Sequence, residues 1–163
     1  MQLIDSVLYD PGTAASHSAA TQIAMTAFDT TNLRLSFTVP HHGIVRVVLD
    51  TIFLGGASSP MILLGVLEST TVVARKAANT MFTNNTAHYG RLQADFIVSG
   101  LTPGPAVWDA AYSVQVAVTS AIIKYGGAND AGANTGLGGF SFEVWDPKPT
   151  GRLAHDWQLG GGC

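Results

Sequence analysis

A chain of 163 residues is the size of one domain and can bury a core without metal or disulfide staples. Its eight Lys and Arg are scattered and its formal net charge is −3, which excludes a basic stripe for phosphate contacts and a polybasic membrane anchor. The single cysteine, Cys163, rules out an intrachain disulfide, and charged residues make up only 12% of the chain, so a surface of small neutral residues is left that favours association.

The N-terminus, Met1-Gln2-Leu3-Ile4-Asp5, has neither the basic nor the apolar region of a signal peptide. The sequence reading makes residues 1–30 an N-terminal arm, with an early strand near Gln22 to Met25 and residues 1–15 lying outside the core. Leu33, Leu35, Phe37 and Val39 then alternate with polar residues, which is the signature of a half-buried strand. Pro40 ends it, His41-His42-Gly43 turns, and Ile44 to Leu54 continues as a β-branched strand. So short a connection predicts that these two strands pair antiparallel.

Met61 to Glu68 and Thr71 to Ala77 read as a second hairpin. Tyr89 to Leu101 alternates again, with Leu92, Ala94, Phe96 and Val98 on one face. Thr102-Pro103-Gly104-Pro105 is a turn, and Val107 to Val118 follows with Trp108, Ala110, Tyr112 and Val114 aligned. Phe140, Phe142 and Val144 form the last strand before Pro147. Three segments between these strands (55–60, 79–88 and 126–139) are loops of small residues, with Phe82 their one aromatic. The expectation is an all-β, antiparallel sandwich of jelly-roll type with about eight strands over residues 31–146. Residues 147–163 read as a C-terminal arm.

Little in the sequence carries chemistry. His41 and His42 have no nearby Cys, Asp or Glu to complete a metal site, and they read as turn residues. No G-x-S-x-G, H-E-x-x-H or P-loop occurs, and Gly136-Leu137-Gly138-Gly139 precedes a strand rather than a helix. Of the eleven carboxylates only Glu68 and Glu143 are glutamates, and neither sits in a glycosidase signature. No catalytic, cofactor-binding or metal residue is assigned. Asn84-Asn85-Thr86 fits an N-glycosylation acceptor, expected to stay unmodified in a chain made in a cytoplasm. Tyr9, Tyr89, Trp145 and Trp157 are the aromatics suited to stack on a partner or a sugar. Tyr9, Trp145, Trp157 and Leu159 are the candidate partner contacts, with Trp157 and Leu159 the apolar groups of an otherwise polar end.

Three stretches carry a family likeness. They are Leu35-Ser36-Phe37-Thr38-Val39-Pro40-His41-His42-Gly43 after Tyr9-Asp10-Pro11-Gly12, Gly100-Leu101-Thr102-Pro103-Gly104 leading to Trp108, and Gly139-Phe140-Ser141-Phe142-Glu143-Val144-Trp145. Over roughly residues 8 to 147 the chain resembles the small jelly-roll proteins of tailed-bacteriophage virions, whose pattern is similar to C1q/TNF-like heads. The resemblance implies a non-enzymatic role on the virion surface after assembly in the host cytoplasm. It leaves two roles open: a capsid decoration protein bridging subunits, or a receptor-binding head of a tail fibre or minor tail protein that recognises a host glycan. The small-residue loops and the lack of a stalk favour decoration. The implied partners are major capsid or tail proteins. The low charge density and the apolar faces on both sides of Val107 to Val118 and Phe140 to Trp145 add an expectation of self-association as a homotrimer through those two strands. No nucleic acid or membrane insertion is expected.

Overall fold

The computed structural model describes residues 1–18, 22–54, 61–78, 89–116, 122–127 and 138–148. Among them eleven strands form two antiparallel sheets stacked as a β-sandwich. The strands are β1 (Gln2–Tyr9), β2 (Ala15–Ser18), β3 (Thr26–Ala27), β4 (Arg34–Val39), β5 (Val45–Leu54), β6 (Ile62–Glu68), β7 (Thr71–Ala77), β8 (Tyr89–Val98), β9 (Gly104–Val114), β10 (Ile122–Tyr125) and β11 (Phe140–Asp146).

The first sheet is built on β5. Its whole length pairs with β8 along one edge. Its other edge is shared: β11 takes Arg46–Asp50 and β10 takes Phe53 and Leu54. Outside these lie β1 on β11 and β2 on β10. The second sheet is built on β9, with β6 and then β7 on one side and β4 and β3 on the other.

Period-two alternation puts one apolar row of each long central strand into the space between the sheets. Val45, Val47, Leu49 and Phe53 face Leu35, Phe37, Trp108 and Leu64 there, all of them buried. The alternating polar residues stay outside. Asp109, on the outer side of β9, is only 2% exposed, and the fork of Arg34 holds both its oxygens at 2.7 and 2.9 Å. A carboxylate so far out of water requires such a partner.

Three expectations are corrected here. The strands either side of His41-His42-Gly43 do not pair with each other, because β4 belongs to the second sheet and β5 to the first. Each has one fully apolar face, and the turn sends the chain across the core so that these faces meet rather than lie side by side. Gly43 makes that crossing: its φ is +64°, its N–H donates to the Pro40 carbonyl at 2.8 Å, and its own carbonyl accepts from Leu101 N–H at 3.1 Å. The N-terminal residues do not form an arm outside the sandwich either. Residues 2–9 are hydrogen-bonded to β11 as part of the first sheet. The early strand also sits a little later than expected, at Thr26–Ala27. The arm placed at 147–163 falls mostly on residues 149–163, which lie outside the described residues.

Candidate assembly surface

The outer face of the first sheet gathers residues that are far apart in sequence. Register sets Ile97 opposite Arg46, Arg46 opposite Trp145, and Trp145 opposite Leu3. These four form one row across β8, β5, β11 and β1. Ile97 is 56% exposed and Leu3 43%, while Trp145 is half-buried. The Met1 sulfur lies 3.0 Å from Arg46 Nη1, so an exposed methionine joins the row. The next row is Asp95, Val48, Glu143 and Ser6, and the one after it ends on Leu8, at 72% the most exposed large apolar residue described.

The arginines on this face are matched within it. Arg46 Nε donates to Asp95 at 2.7 Å, and a second bond joins Arg46 Nη2 to the same carboxylate. Arg91 holds Asp50 in the same way, with Nε to Oδ1 at 2.8 Å. The side-chain bond from Arg46 outweighs partial burial and keeps Asp95 below the usual carboxylate range. Glu143 accepts from Trp145 Nε1 at 2.8 Å and from Ser141 Oγ at 3.1 Å. A partner covering the face would therefore meet apolar side chains, arginines already paired with aspartates, and a Glu143 carboxylate already held by two neutral donors.

The candidate residues fall in different places. Trp145 lies on this outer face. Tyr9 packs inward instead, against the core, with its ring edge-on to Tyr125 at 6.2 Å. Tyr89 lies beside Lys124, whose Nζ is 5.8 Å from the ring centre. Trp157 and Leu159 lie outside the described residues, as do Asn84-Asn85-Thr86. The two strands expected to face a threefold axis belong to different sheets, β9 at the centre of one and β11 within the other, so one flat contact cannot use both. Leu3 and Ile97 were missed by sequence reading, since only the cross-strand register shows that they share a row with Trp145, Leu3 beside it and Ile97 beyond Arg46.

Two histidines are engaged. His42 Nε2 lies 3.0 Å from Asp146 Oδ1, and its Nδ1 accepts from Ile44 N–H at 3.2 Å, which places the ring proton on Nε2, donating to the carboxylate. Asp146 also accepts from Lys148 N–H at 2.7 Å. At the opposite end of the sandwich His17 stacks on Tyr125 and packs edge-on against Phe28 and Tyr112. Burial lowers its pKa, and the Asp29 carboxylate partly offsets that. Burial likewise holds the Tyr125 hydroxyl far above the ordinary tyrosine value. Among the described residues no group of three or more His, Cys, Asp or Glu converges to hold a metal ion. No helix among them is long and apolar enough to cross a membrane.

No protein-family model matches the chain, and no curated protein matches it.

Proposed function

We propose that this chain is a non-enzymatic structural protein of a phage virion, a decoration subunit that self-associates as a homotrimer and bridges capsid subunits at the particle surface. The observation that carries the self-association is the row Ile97–Arg46–Trp145–Leu3 with Met1, an apolar band whose charge is paired within the face. Small soluble domains seldom leave such a band uncovered. The strand orders 1-11-5-8 and 4-9-6-7 support the jelly-roll reading, because they are the orders of an eight-strand double Greek key. The virion role itself rests on the sequence resemblance.

The test is sedimentation equilibrium of the wild type and of the I97D/W145S double variant. The expected result is a trimer at micromolar concentration for the wild type and a monomer with an unchanged β-type circular dichroism spectrum for the variant. A monomeric wild type, or a variant that stays trimeric, overturns the assembly surface. Electron micrographs of particles carrying a tagged chain then test the location: label over the capsid faces supports decoration, and label at the tail tip replaces it with the receptor-binding role.

A further inference from the structure

Beyond its ladder with β6, the start of one β9 edge has no strand partner among the described residues. Alternation decides which backbone groups point there. Ala110 N–H donates to Leu33 and its carbonyl accepts from Phe28, so even-numbered residues of β9 direct their groups toward β3 and β4. Odd-numbered residues direct theirs toward β6, as Gln115 N–H does in reaching the Met61 carbonyl. The β6 ladder stops at the pair Leu67–Asp109, because β6 ends at Glu68 and turns at Ser69, whose φ is +57°. The next odd residues, Val107 and Pro105, therefore face an opening, with no strand opposite them among the described residues. Pro105 lacks an N–H, so the edge offers the Val107 N–H and the carbonyls of Val107 and Pro105.

A groove of about 570 Å³ adjoins this opening, with Pro105, Ala106 and Trp108, the residues around Val107, among its walls. Leu101, Pro103, Pro105 and Trp108 line it, and Glu68 is the charged residue among its walls. Its place in the fold suggests what fills it. The Gly43–Leu101 hydrogen bond ties the groove's turn to the 40–43 turn. His42 of that turn binds Asp146, and Asp146 holds Lys148 N–H. The described chain thus ends at the mouth of the same end of the sandwich.

We propose that the groove is the docking site of this chain's own C-terminal segment, residues 149–163, which adds to β9 as a short strand at Val107. Fifteen or so residues can extend about 50 Å, and the sheets of a sandwich lie only about 10 Å apart, so reach is ample. In His155-Asp156-Trp157-Gln158-Leu159 the apolar groups alternate, so Trp157 and Leu159 share one face of an extended strand. Arg152 supplies a cation for Glu68. A neighbouring chain is the other occupant that such an arm could find. The short tether instead holds it at an effective concentration on the order of millimolar, well above the concentration of a second copy in solution. The docking does not depend on the virion role or on the trimer.

The experiment is native-state hydrogen exchange on the full chain, read at the Val107 amide, for the wild type, for W157S/L159S and for E68K. The Val107 amide is expected to be protected in the wild type, and its exchange to speed up by about tenfold or more in W157S/L159S and by a smaller factor in E68K, with the core amides of Leu49 and Ala94 unchanged. That protection should not vary between about 5 and 200 μM protein. An unprotected Val107 amide in the wild type, or protection that survives W157S/L159S, overturns the proposal. Protection that rises with concentration also overturns it, by assigning the groove to a second copy.

Discussion

His17 shows how one side chain makes the stability of this sandwich depend on pH. Its ring is enclosed by Phe28, Tyr112 and Tyr125, with Nε2 3.1 Å from the Tyr125 hydroxyl. Burial disfavours the imidazolium, and the attraction of Asp29 does not fully compensate, so the folded-state pKa lies below the ordinary value of 6.5. The unfolded chain therefore binds the proton first as pH falls. The contribution of His17 to stability is complete above about pH 6.5 and declines as pH drops from there toward the folded-state pKa. One such group can impose a slope of at most about 1.4 kcal/mol per pH unit. Urea midpoints measured from pH 7.5 down to 5 should fall for the wild type. His17→Gln should be less stable at pH 7.5 yet show a flatter profile. A wild-type midpoint that rises on acidification across this range would contradict the assignment.

Strand pairing depends just as closely on single residues, and β6 against β7 is the clearest case. Gly65 faces Arg75 across the ladder, and a Cβ at that position would overlap the Ala74 carbonyl and the Arg75 backbone. Gly65→Ala should push β7 off the sheet and cost about 1–3 kcal/mol, measured as a lower urea midpoint. Gly100→Ala is the control: its φ of +76° carries the left-handed strain, but a Cβ there meets nothing within 4 Å. It should cost about 1–2 kcal/mol from backbone strain alone and leave β7 amides protected. The β6–β7 hairpin was legible in the sequence, as were the strands at 34–39, 45–54, 89–98, 107–114 and 140–146, because each has a strict apolar row that one core can bury, although β9 begins at Gly104, inside the stretch read as a turn. The strands β1, β2 and β10 were not. Ala15-Ser16-His17-Ser18 has no apolar row, and Gln2–Tyr9 is a lateral strand with little fully buried surface. Pairing was less legible than the strands themselves: alternation says that Val39 and Val45 are both buried, but not whether they lie side by side or face each other across the core. The same gap hid the assembly surface. Trp145 stands out as an aromatic next to a strand end, whereas Leu3 and Ile97 join its row only through the β1–β11–β5–β8 register.

That register also governs how the molecule folds. β1 pairs with β11 and β2 with β10, so residues near the start of the chain must find partners beyond residue 120. Loop closure over such separations comes before the contacts that reward it, which makes sandwiches of this kind slow. Refolding from urea should take milliseconds to seconds, against microseconds for a helical bundle of similar stability. The two central strands share one core: Val47 and Leu49 of β5 and Trp108 and Ala110 of β9 are all fully or almost fully buried in the same cluster. Neither sheet can bury its apolar face without the other, so they should form in one cooperative step. Tryptophan placement allows this to be measured. Trp108 lies in the core beneath the second sheet, and Trp145 on the outside of the first. In W145F the fluorescence of Trp108 reports the second sheet, and in W108F that of Trp145 reports the first, with Trp157 replaced by Phe in both. After each variant's stability is allowed for, stopped-flow traces should give one exponential phase with the same transition-state position in denaturant. A fast phase seen only through Trp145 would mean that the β5 sheet assembles before β9 docks on it, and the single shared core would not be the folding unit.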